Sequence, residues 1–530
     1  MDLVLSTDPV MLSRDELPEL SERLHRSGSD MDIGLPAWWG AAVHLFIIAD
    51  EASRGIGFMP VDDAKLDWIR SFQEKQYEGY NSRSIFYNRF TIKSDPEFGA
   101  VLPKTRTPQV GCTLRALSHH VAIIPPEGQI GVKWYSSRSR PRSEDTHLNL
   151  LLVPFLYDVT ASCFSTSLPN GGTNGQSAEF EIDQKWLGNA ERKECVDGWL
   201  FNRGKSEAIV DFITDLVQKS INANMNIHGV ILPELSLDYM TFNFLAYQLK
   251  KKFSSKGFNF IVCGTSERIE RPSEDALLCK NAEVPKFGLK SGNYVSVRGV
   301  IDADWAEPDE SKIAWDFASD RGKHHRWKLD EFQIEKYALT RSLLGQGRDR
   351  SKSPSYFWEK IDIGHRRLDA FEIRGGSVMM PLICEDLARV DPVQEVVRAL
   401  GPNLLIALLM DGPQTKFRWA AHYAGVLAED PGCSVLTLTS YGMVRRAAAI
   451  DLENARNVAY WRDARGQAKH LSLPAGMHGL VVQLKGKSTT DHAMDGRDDF
   501  NLAYDWCLAD VETIRGNPGL AESAGVPAIF

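Results

Sequence analysis

Cys384 stands where an apolar run, SVMMPLI from Ser377, gives way to two acids and a helix-compatible segment, DPVQEVVRAL. A buried strand is expected to turn into a helix at the thiol, with the backbone N–H groups of Glu385 and Asp386 opening the turn. A helix start favours negative charge, so this position is expected to lower the thiol pKa and to hold an oxyanion. That is the chemistry of a nucleophile, although a cysteine ending an apolar strand serves equally well as packing. Glu234 is a second reactive group in a telling place. It ends the apolar run IHGVILPE from Ile227, and α/β sheets put reactive groups just beyond the carboxyl ends of their core strands.

The elements that must position these groups lie in a chain of alternating apolar strands and amphipathic helices that begins at Leu148. LNLLLVPFLYDV reads as a buried strand, KSEAIVDFITDLVQKSI from Lys205 as a helix, and IHGVILPE as the next strand. The helix YMTFNFLAYQLKKKF and the strand NFIVCGTSER repeat the unit, and GNYVSVRGVI follows. TRSLLGQGRDRSKSPSYFWEK from Thr340 reads as a charged surface insertion. The pattern resumes with the Cys384 strand, NLLIALLM, the helix KFRWAAHYAGVLAED, CSVLTLTS, and closing strands near Asn457 and His478. Helical spacing makes Trp419 and His422 core residues of that helix.

Before Leu148 the texture differs. SRDELPELSERLHR from Ser13 and VDDAKLDWIRSFQEKQYEGY from Val61 read as helices, and ALSHHVAIIPPEGQIGVKWY from Ala116 as a hairpin closing the region. SSRSRPRSED from Ser136 has linker composition. The expected domains are therefore 1–147, a mainly helical accessory domain; 148–490, an α/β domain; and 491–530, a C-terminal tail.

Composition excludes several function classes. A net charge of −9 argues against a nucleic-acid surface as the main business, and no apolar run reaches the length of a membrane span. MDLVLSTDP lacks the basic and apolar regions of a secretory leader, so the cytoplasm is the expected location. The eight cysteines include no CxxC pair or Cys/His cluster, which predicts neither a metal site nor a disulfide framework. Cys263 and Cys433 abut apolar strands and read as core; Cys112, Cys163, Cys195, Cys279 and Cys507 have no base or ligand set nearby. His119 and His120 point apart in a strand and make poor joint ligands.

Glu234 in VILPELSL, the strand CGTSER, the GKHHRW stretch, Cys384 in ICEDLA and the block from NLLIALLM to TLTSYGM follow one another in an order that resembles the nitrilase superfamily, the carbon–nitrogen hydrolases. The resemblance spans roughly Leu148 to Leu484 and implies an α-β-β-α sandwich with a Glu, Lys, Cys triad. It implies Glu234 as general base, Cys384 as nucleophile and Lys323 as the cation that stabilises the oxyanion, with Lys328 as rival. Glu331, about eight residues past the lysine, falls where many relatives carry a supporting glutamate, with Asp330 and Glu335 as competitors. His324 and His325 are either substrate contacts or structural.

The sequence departs from the family in two places. The insertion after Thr340 lengthens the lysine-to-cysteine interval, and Cys384 is followed by Glu-Asp where nitrile-cleaving relatives carry Trp-Glu. The second departure resembles the amidase and glutaminase branch, including the ICEDL pattern of glutamine-dependent NAD synthetases, although no ATP-pyrophosphatase loop follows. The resemblance thus implies hydrolysis of a small non-peptide amide through a cysteine thioester, no cofactor, and a homodimer or higher homo-oligomer. The second reading is an interaction or sensing module. Its N-terminal region would dock a protein or nucleic-acid partner, as resembles long nitrilase-like domains in reverse-transcriptase-associated bacterial defence systems.

Overall fold

The computed structural model describes residues 37–52, 100–104, 106, 118–124, 131–135, 146–166, 178–183, 193–196, 199–202, 204–269, 289–299, 315, 317–344, 354, 356–363, 366–374, 377–447, 454–492 and 498–527. In chain order these hold α1 (Ala37–Ala52), β1 (Ala100–Pro103), β2 (Val121–Ile124), β3 (Gly131–Tyr135), β4 (His147–Leu152), β5 (Phe164–Thr166), β6 (Glu179–Ile182), β7 (Lys193–Val196), β8 (Trp199–Asn202) and α2 (Lys205–Asn222). There follow β9 (Gly229–Leu237), α3 (Tyr239–Phe253), β10 (Phe260–Ile269), β11 (Leu289–Gly299), β12 (Phe317–Gly322), β13 (Lys328–Asp330), α4 (Glu331–Lys336), α5 (Thr340–Leu344) and β14 (Tyr356–Glu359). The remainder is β15 (Arg367–Arg374), β16 (Ser377–Ile383), α6 (Glu395–Leu400), β17 (Leu404–Leu409), α7 (Trp419–Glu429), β18 (Ser434–Thr439), α8 (Tyr441–Ala447), β19 (Asn457–Arg462), β20 (Ala468–Ser472), β21 (Gly479–His492), β22 (Asp498–Ile514) and α9 (Pro518–Ser523).

Two seven-stranded sheets dominate, ordered β12-β11-β10-β9-β4-β21-β22 and β20-β19-β18-β17-β16-β15-β3. At the centre of each lie three parallel strands, β4-β9-β10 and β16-β17-β18. Strands covered on both faces should be apolar throughout. Accordingly, β9, β16, β17 and β18 are buried along their full length. β9 meets β17 and β18 across the interface between the sheets, while α3 lies on β10 and α7 on β18. The layers therefore run helix, sheet, sheet, helix. α2 buries Ile209, Val210, Phe212, Ile213, Leu216 and Val217, one stripe at helical spacing. α3 starts where the Asp238 carboxylate accepts the N–H of Thr241 at 2.7 Å, and it ends in Lys250, Lys251 and Lys252, which suit the negative end of its dipole.

Two strands outside 148–490 belong to the main sheets. β2 pairs with β1 rather than with β3, so the hairpin from Ala116 does not form. β3 instead runs parallel to β15 at the edge of the second sheet, where Tyr135 is buried and stacks on Phe371 at 4.7 Å. Burial of that ring outweighs the short sequence separation that favours a hairpin. The expected tail is also part of the sandwich. β22 pairs with β21 along its length, Trp506 is buried with its indole N–H donating to Ser377 Oγ at 2.7 Å, and α9 packs on α2. The helices expected from Ser13 and Val61 lie outside the described residues; α1 is the helix described in that region. Its buried Asp50 accepts the backbone N–H groups of His119, His120 and Val121 at 2.8, 2.8 and 2.9 Å, fastening α1 to the start of β2.

No helix among the described residues is long and apolar enough to cross a membrane.

Candidate active site

Glu234 leaves the sheet because β9 bulges. Cys263 pairs with Leu232 and Thr265 with Leu237, so β9 carries extra residues between those pairs, and Leu235 takes φ 55°. Gly264 lies opposite the bulge. A Cβ there would stand 2.4 Å from both Glu234 Cα and Pro233 O, so only glycine lets β10 approach. Ser236 Oγ, donating to Phe155 O at 3.0 Å and Pro233 O at 2.8 Å, pins the far side of the bulge.

Lys323 follows β12 and is buried, as are Glu234 and Glu359. Lys323 Nζ donates to Glu234 Oε1 at 2.9 Å and to Glu359 Oε2 at 2.7 Å. Asn293 Nδ2 bridges the same two acids, at 2.6 Å to Glu234 Oε1 and 2.7 Å to Glu359 Oε1. Asn293 O also accepts the N–H of Lys323 at 2.8 Å, and Glu359 Oε2 accepts the N–H of Trp327 at 3.0 Å. Glu234 Oε2 is buried and meets no hydrogen-bond partner among the described residues.

Cys384 follows β16 with φ 41°, a left-handed conformation that costs a side-chain-bearing residue free energy and turns the chain sharply. It opens a four-residue 3₁₀ turn, Cys384–Leu387, and a π-helical turn, Val390–Gln394, separates that from α6. Asp386 ties this turn to the lysine loop. Its fully buried carboxylate accepts from Arg321 Nη1 at 3.1 Å, the N–H of His324 at 3.0 Å and His325 Nδ1 at 3.2 Å. Arg321, itself buried, also donates to Pro381 O at 3.1 Å. The acid in ICED is thus a strut between nucleophile and cation, and both histidines belong to that strut.

The electrostatics follow from burial. Desolvation raises the Cys384 thiol pKa well above the ordinary range, the Glu234 charge raises it further, and Lys323 opposes both. The lowering expected from a helix start does not occur. A single 3₁₀ turn carries little dipole, whereas burial and a nearby carboxylate both disfavour a thiolate. Glu234 is raised too, by burial first and by the charge of Glu359 as well, against the pull of Lys323. For Lys323, burial works to neutralise the ammonium, but Glu234 and Glu359 outweigh it and hold the cation charged. Asp386 is held far below the usual carboxylate range: burial opposes this, and the neighbouring histidines and Arg321 prevail. Burial pushes His324 down to about 4.

The structure therefore brings Glu234, Lys323 and Cys384 together, but not Glu331. Glu331 is exposed at the start of α4, and Asp330 beside it caps that helix through the N–H of Gln333 at 2.8 Å. The carboxylate against Lys323 is Glu359, which comes from the far end of the stretch read as a surface insertion. Glu359 and Asn293 went unrecognised in the sequence. The available signal was a polar residue at the buried end of an otherwise apolar strand, NYVSV for one and YFWE for the other. Lys328 is exposed, with its ammonium 4.4 Å from the Tyr356 ring centroid. Of the two residues expected in the core, Trp419 is half-buried and packs against it, with its indole N–H on Asp411 Oδ2 at 3.0 Å, whereas His422 is exposed. Cys263 and Cys433 are fully buried as expected.

No family model matches the sequence, and no curated protein matches it. Among solved structures, an amidase from Nesterenkonia sp. is similar over 66% of this chain and 94% of its own, at 12% identity and TM-score 0.32. Saccharomyces cerevisiae Nit3, a member of branch 10 of the nitrilase superfamily, is similar over 63% and 87%, at 12% identity and TM-score 0.27. A glutamine-dependent NAD+ synthetase from Acinetobacter baumannii is similar over 61% and 48%, at 12% identity and TM-score 0.29.

Proposed function

We propose that the chain is a carbon–nitrogen hydrolase that cleaves a small non-peptide amide through a thioester on Cys384. The observation that carries this reading is a buried lysine clamped between two carboxylates, one of which keeps an oxygen unpartnered among the described residues, close enough to a strained cysteine for their charges to act on it. A buried carboxylate oxygen without a partner costs about 1–3 kcal/mol or more, which a purely structural cluster has no reason to retain.

In the proposed cycle Cys384 Sγ forms a bond to the amide carbon while its proton passes to Glu234 Oε2. The C–N bond then breaks as that proton moves to the departing nitrogen, which leaves as ammonia or an amine. A water next gives a proton to Glu234 and attacks the thioester carbon; the C–S bond breaks, the acid leaves and the proton returns to sulfur. A carboxyl group of raised pKa suits this shuttle, since it is a stronger base than an ordinary carboxylate and still returns the proton to the leaving nitrogen. An ammonium has three N–H donors, and Glu234 and Glu359 occupy two of those on Lys323. The third is available to the oxyanion, together with the N–H of Glu385.

Incubation with a library of simple amides followed by intact-mass measurement tests the proposal. An acyl adduct on Cys384 that turns over, and that Cys384→Ala abolishes, supports it. Co-purification of a stoichiometric protein or nucleic acid with no adduct from any amide would favour the module reading instead.

A further inference from the structure

A cleft opens at the end of the sandwich away from Cys384. Lys485 of β21 pairs with His147 at the start of β4, and Arg462 of β19 pairs with Val435 near the start of β18. Glu234 and Cys384 lie towards the other ends of β9 and β16. The turn between β19 and β20 forms one wall of the cleft and the β21–β22 ribbon the other. About 400 Å³ lies between Asp463, Arg465, Lys485, Lys487, Cys507 and Leu508, a volume of small-molecule size.

Both acids at the cleft are committed to the protein itself. Asp463 Oδ1 accepts the N–H groups of Arg465 at 3.0 Å and Gln467 at 2.9 Å, which shapes the turn. Asp505 stands opposite Lys487 in the ribbon but pairs instead with buried Arg106 and, at 3.5 Å, with Arg465. Lys485 and Lys487 are exposed and have no hydrogen-bond or ion-pair partner among the described residues. Residues two apart on a strand share a face with their cross-strand partners, so both lysines stand on the side of Cys507, which is opposite Lys485. Trp506 faces the other way, into the core, with its indole N–H on Ser377 Oγ. In a chain of net charge −9, two adjacent cations with no acid to offset them focus a positive field on the cleft.

We infer that this cleft binds a short chain of linked phosphoryl groups, the di- or triphosphate of a small molecule. Lysine binds phosphate as a point charge with three N–H donors, and two lysines mounted about 6.6 Å apart along a strand serve successive phosphoryl groups. Arg465 adds a planar fork from the opposite wall. Among the described residues no aromatic side chain lines the cleft, so a nucleobase finds no ring to stack on. Recognition therefore falls on the phosphates rather than on what carries them. The site is separate from Cys384 and does not rest on the hydrolase reading.

Isothermal titration of the full chain with inorganic tripolyphosphate, ATP, AMP and adenosine tests this. Tripolyphosphate and ATP should bind within about threefold of each other, AMP at least about tenfold more weakly, and adenosine not at all. Lys485→Gln and Lys487→Gln should each weaken tripolyphosphate about tenfold or more, the worth of a charge-assisted hydrogen bond. Lys469→Gln, on exposed β20, and Cys384→Ala should bind as wild type. Hydrogen exchange should slow at residues 463–467 and 505–509 when tripolyphosphate is added. No binding of tripolyphosphate, equal binding of adenosine and ATP, or binding that survives Lys485→Gln and Lys487→Gln together overturns the assignment. So does a single-stranded RNA that binds more tightly than tripolyphosphate and is weakened as much by Lys469→Gln as by Lys485→Gln, since that would make the face a nucleic-acid surface. Amide hydrolysis at Cys384 is read separately, from the adduct mass, and stands or falls without this site.

Discussion

Glu359→Gln is the perturbation that most directly examines how the charges at the site are coupled. The substitution keeps shape and removes one negative charge. Either orientation of the new amide sets an NH₂ against a donor: Asn293 Nδ2 if it replaces Oε1, or Lys323 Nζ and the N–H of Trp327 if it replaces Oε2. Losing one charge-assisted hydrogen bond inside the protein costs about 1.5–3 kcal/mol, which corresponds to roughly a 10- to 150-fold slower acylation if the lysine shifts from its place. A second effect has a definite sign. The charge of Glu359 helps to raise the pKa of Glu234, so its removal must lower that pKa and make Glu234 a weaker base. Alkylation of Cys384 by iodoacetamide needs no substrate, and its rate from pH 4 to 9, read by peptide mass, reports the base that accepts the thiol proton. The variant should react more slowly on the plateau, and its acid limb should move to lower pH. Glu331→Gln, on an exposed carboxylate, should leave both untouched. An unshifted acid limb in Glu359→Gln, or an equal effect from Glu331→Gln, would refute the coupling.

Lys323→Ala should slow acylation at least about a hundredfold, as loss of an oxyanion-stabilising donor does, whereas Lys328→Ala should stay near wild type; single-turnover rates on both decide it. Asp386→Asn leaves Arg321 buried against a weakened partner and should lower stability by about 3–5 kcal/mol in urea titration. The folded pKa of Asp386 is depressed, so its contribution is present above the unfolded carboxylate value and erodes as pH falls below it. His324, pushed from 6.5 down to about 4, adds a separate loss at higher pH, between 6.5 and about 4, because only the unfolded chain takes the proton there; that loss alone is about 3 kcal/mol, and a flat stability between pH 6.5 and 4 would contradict it. Gly264→Ala pushes a methyl into the Glu234 backbone and should cost about 1–3 kcal/mol together with much of the alkylation rate at Cys384, read by thermal melting and peptide mass. Pairing of two chains through the sandwich is proposed from the family resemblance, and sedimentation at micromolar concentration showing only a 59.3 kDa species would count against it.

Much of the fold was legible because its central strands are covered on both faces. IHGVILPE, NLLIALLM and CSVLTLTS can be little else than buried strands once amphipathic helices separate them, and α3 occupies the YMTFNFLAYQLKKKF segment named from its pattern. The edges were not legible. β3 and β22 are paired to strands fixed by the rest of the fold, and nothing local distinguishes an edge strand of the main sheet from a hairpin arm or a tail.

The site divides along the same line. Cys384 and Glu234 could be found because each follows directly on an apolar run, a local feature. Glu359 lies 36 residues past Lys323 and reaches it only because α4, α5 and the chain between them fold away and return through β14. A rule that counts about eight residues from the lysine lands on the solvent face of α4. The family resemblance named Lys323, the lysine that the structure buries, although residues 323–327 form a bend rather than a strand. What selects Lys323 is the N–H that it gives to Asn293 and the strut from Asp386 through His324, both of which fix the backbone on which the ammonium is mounted. A catalytic cation placed by its neighbours' hydrogen bonds leaves little trace in its own spacing. The buried polar residues around it carry that trace: Asn293, Arg321, Glu359 and Asp386 are each costly to bury alone and inexpensive only as a connected set.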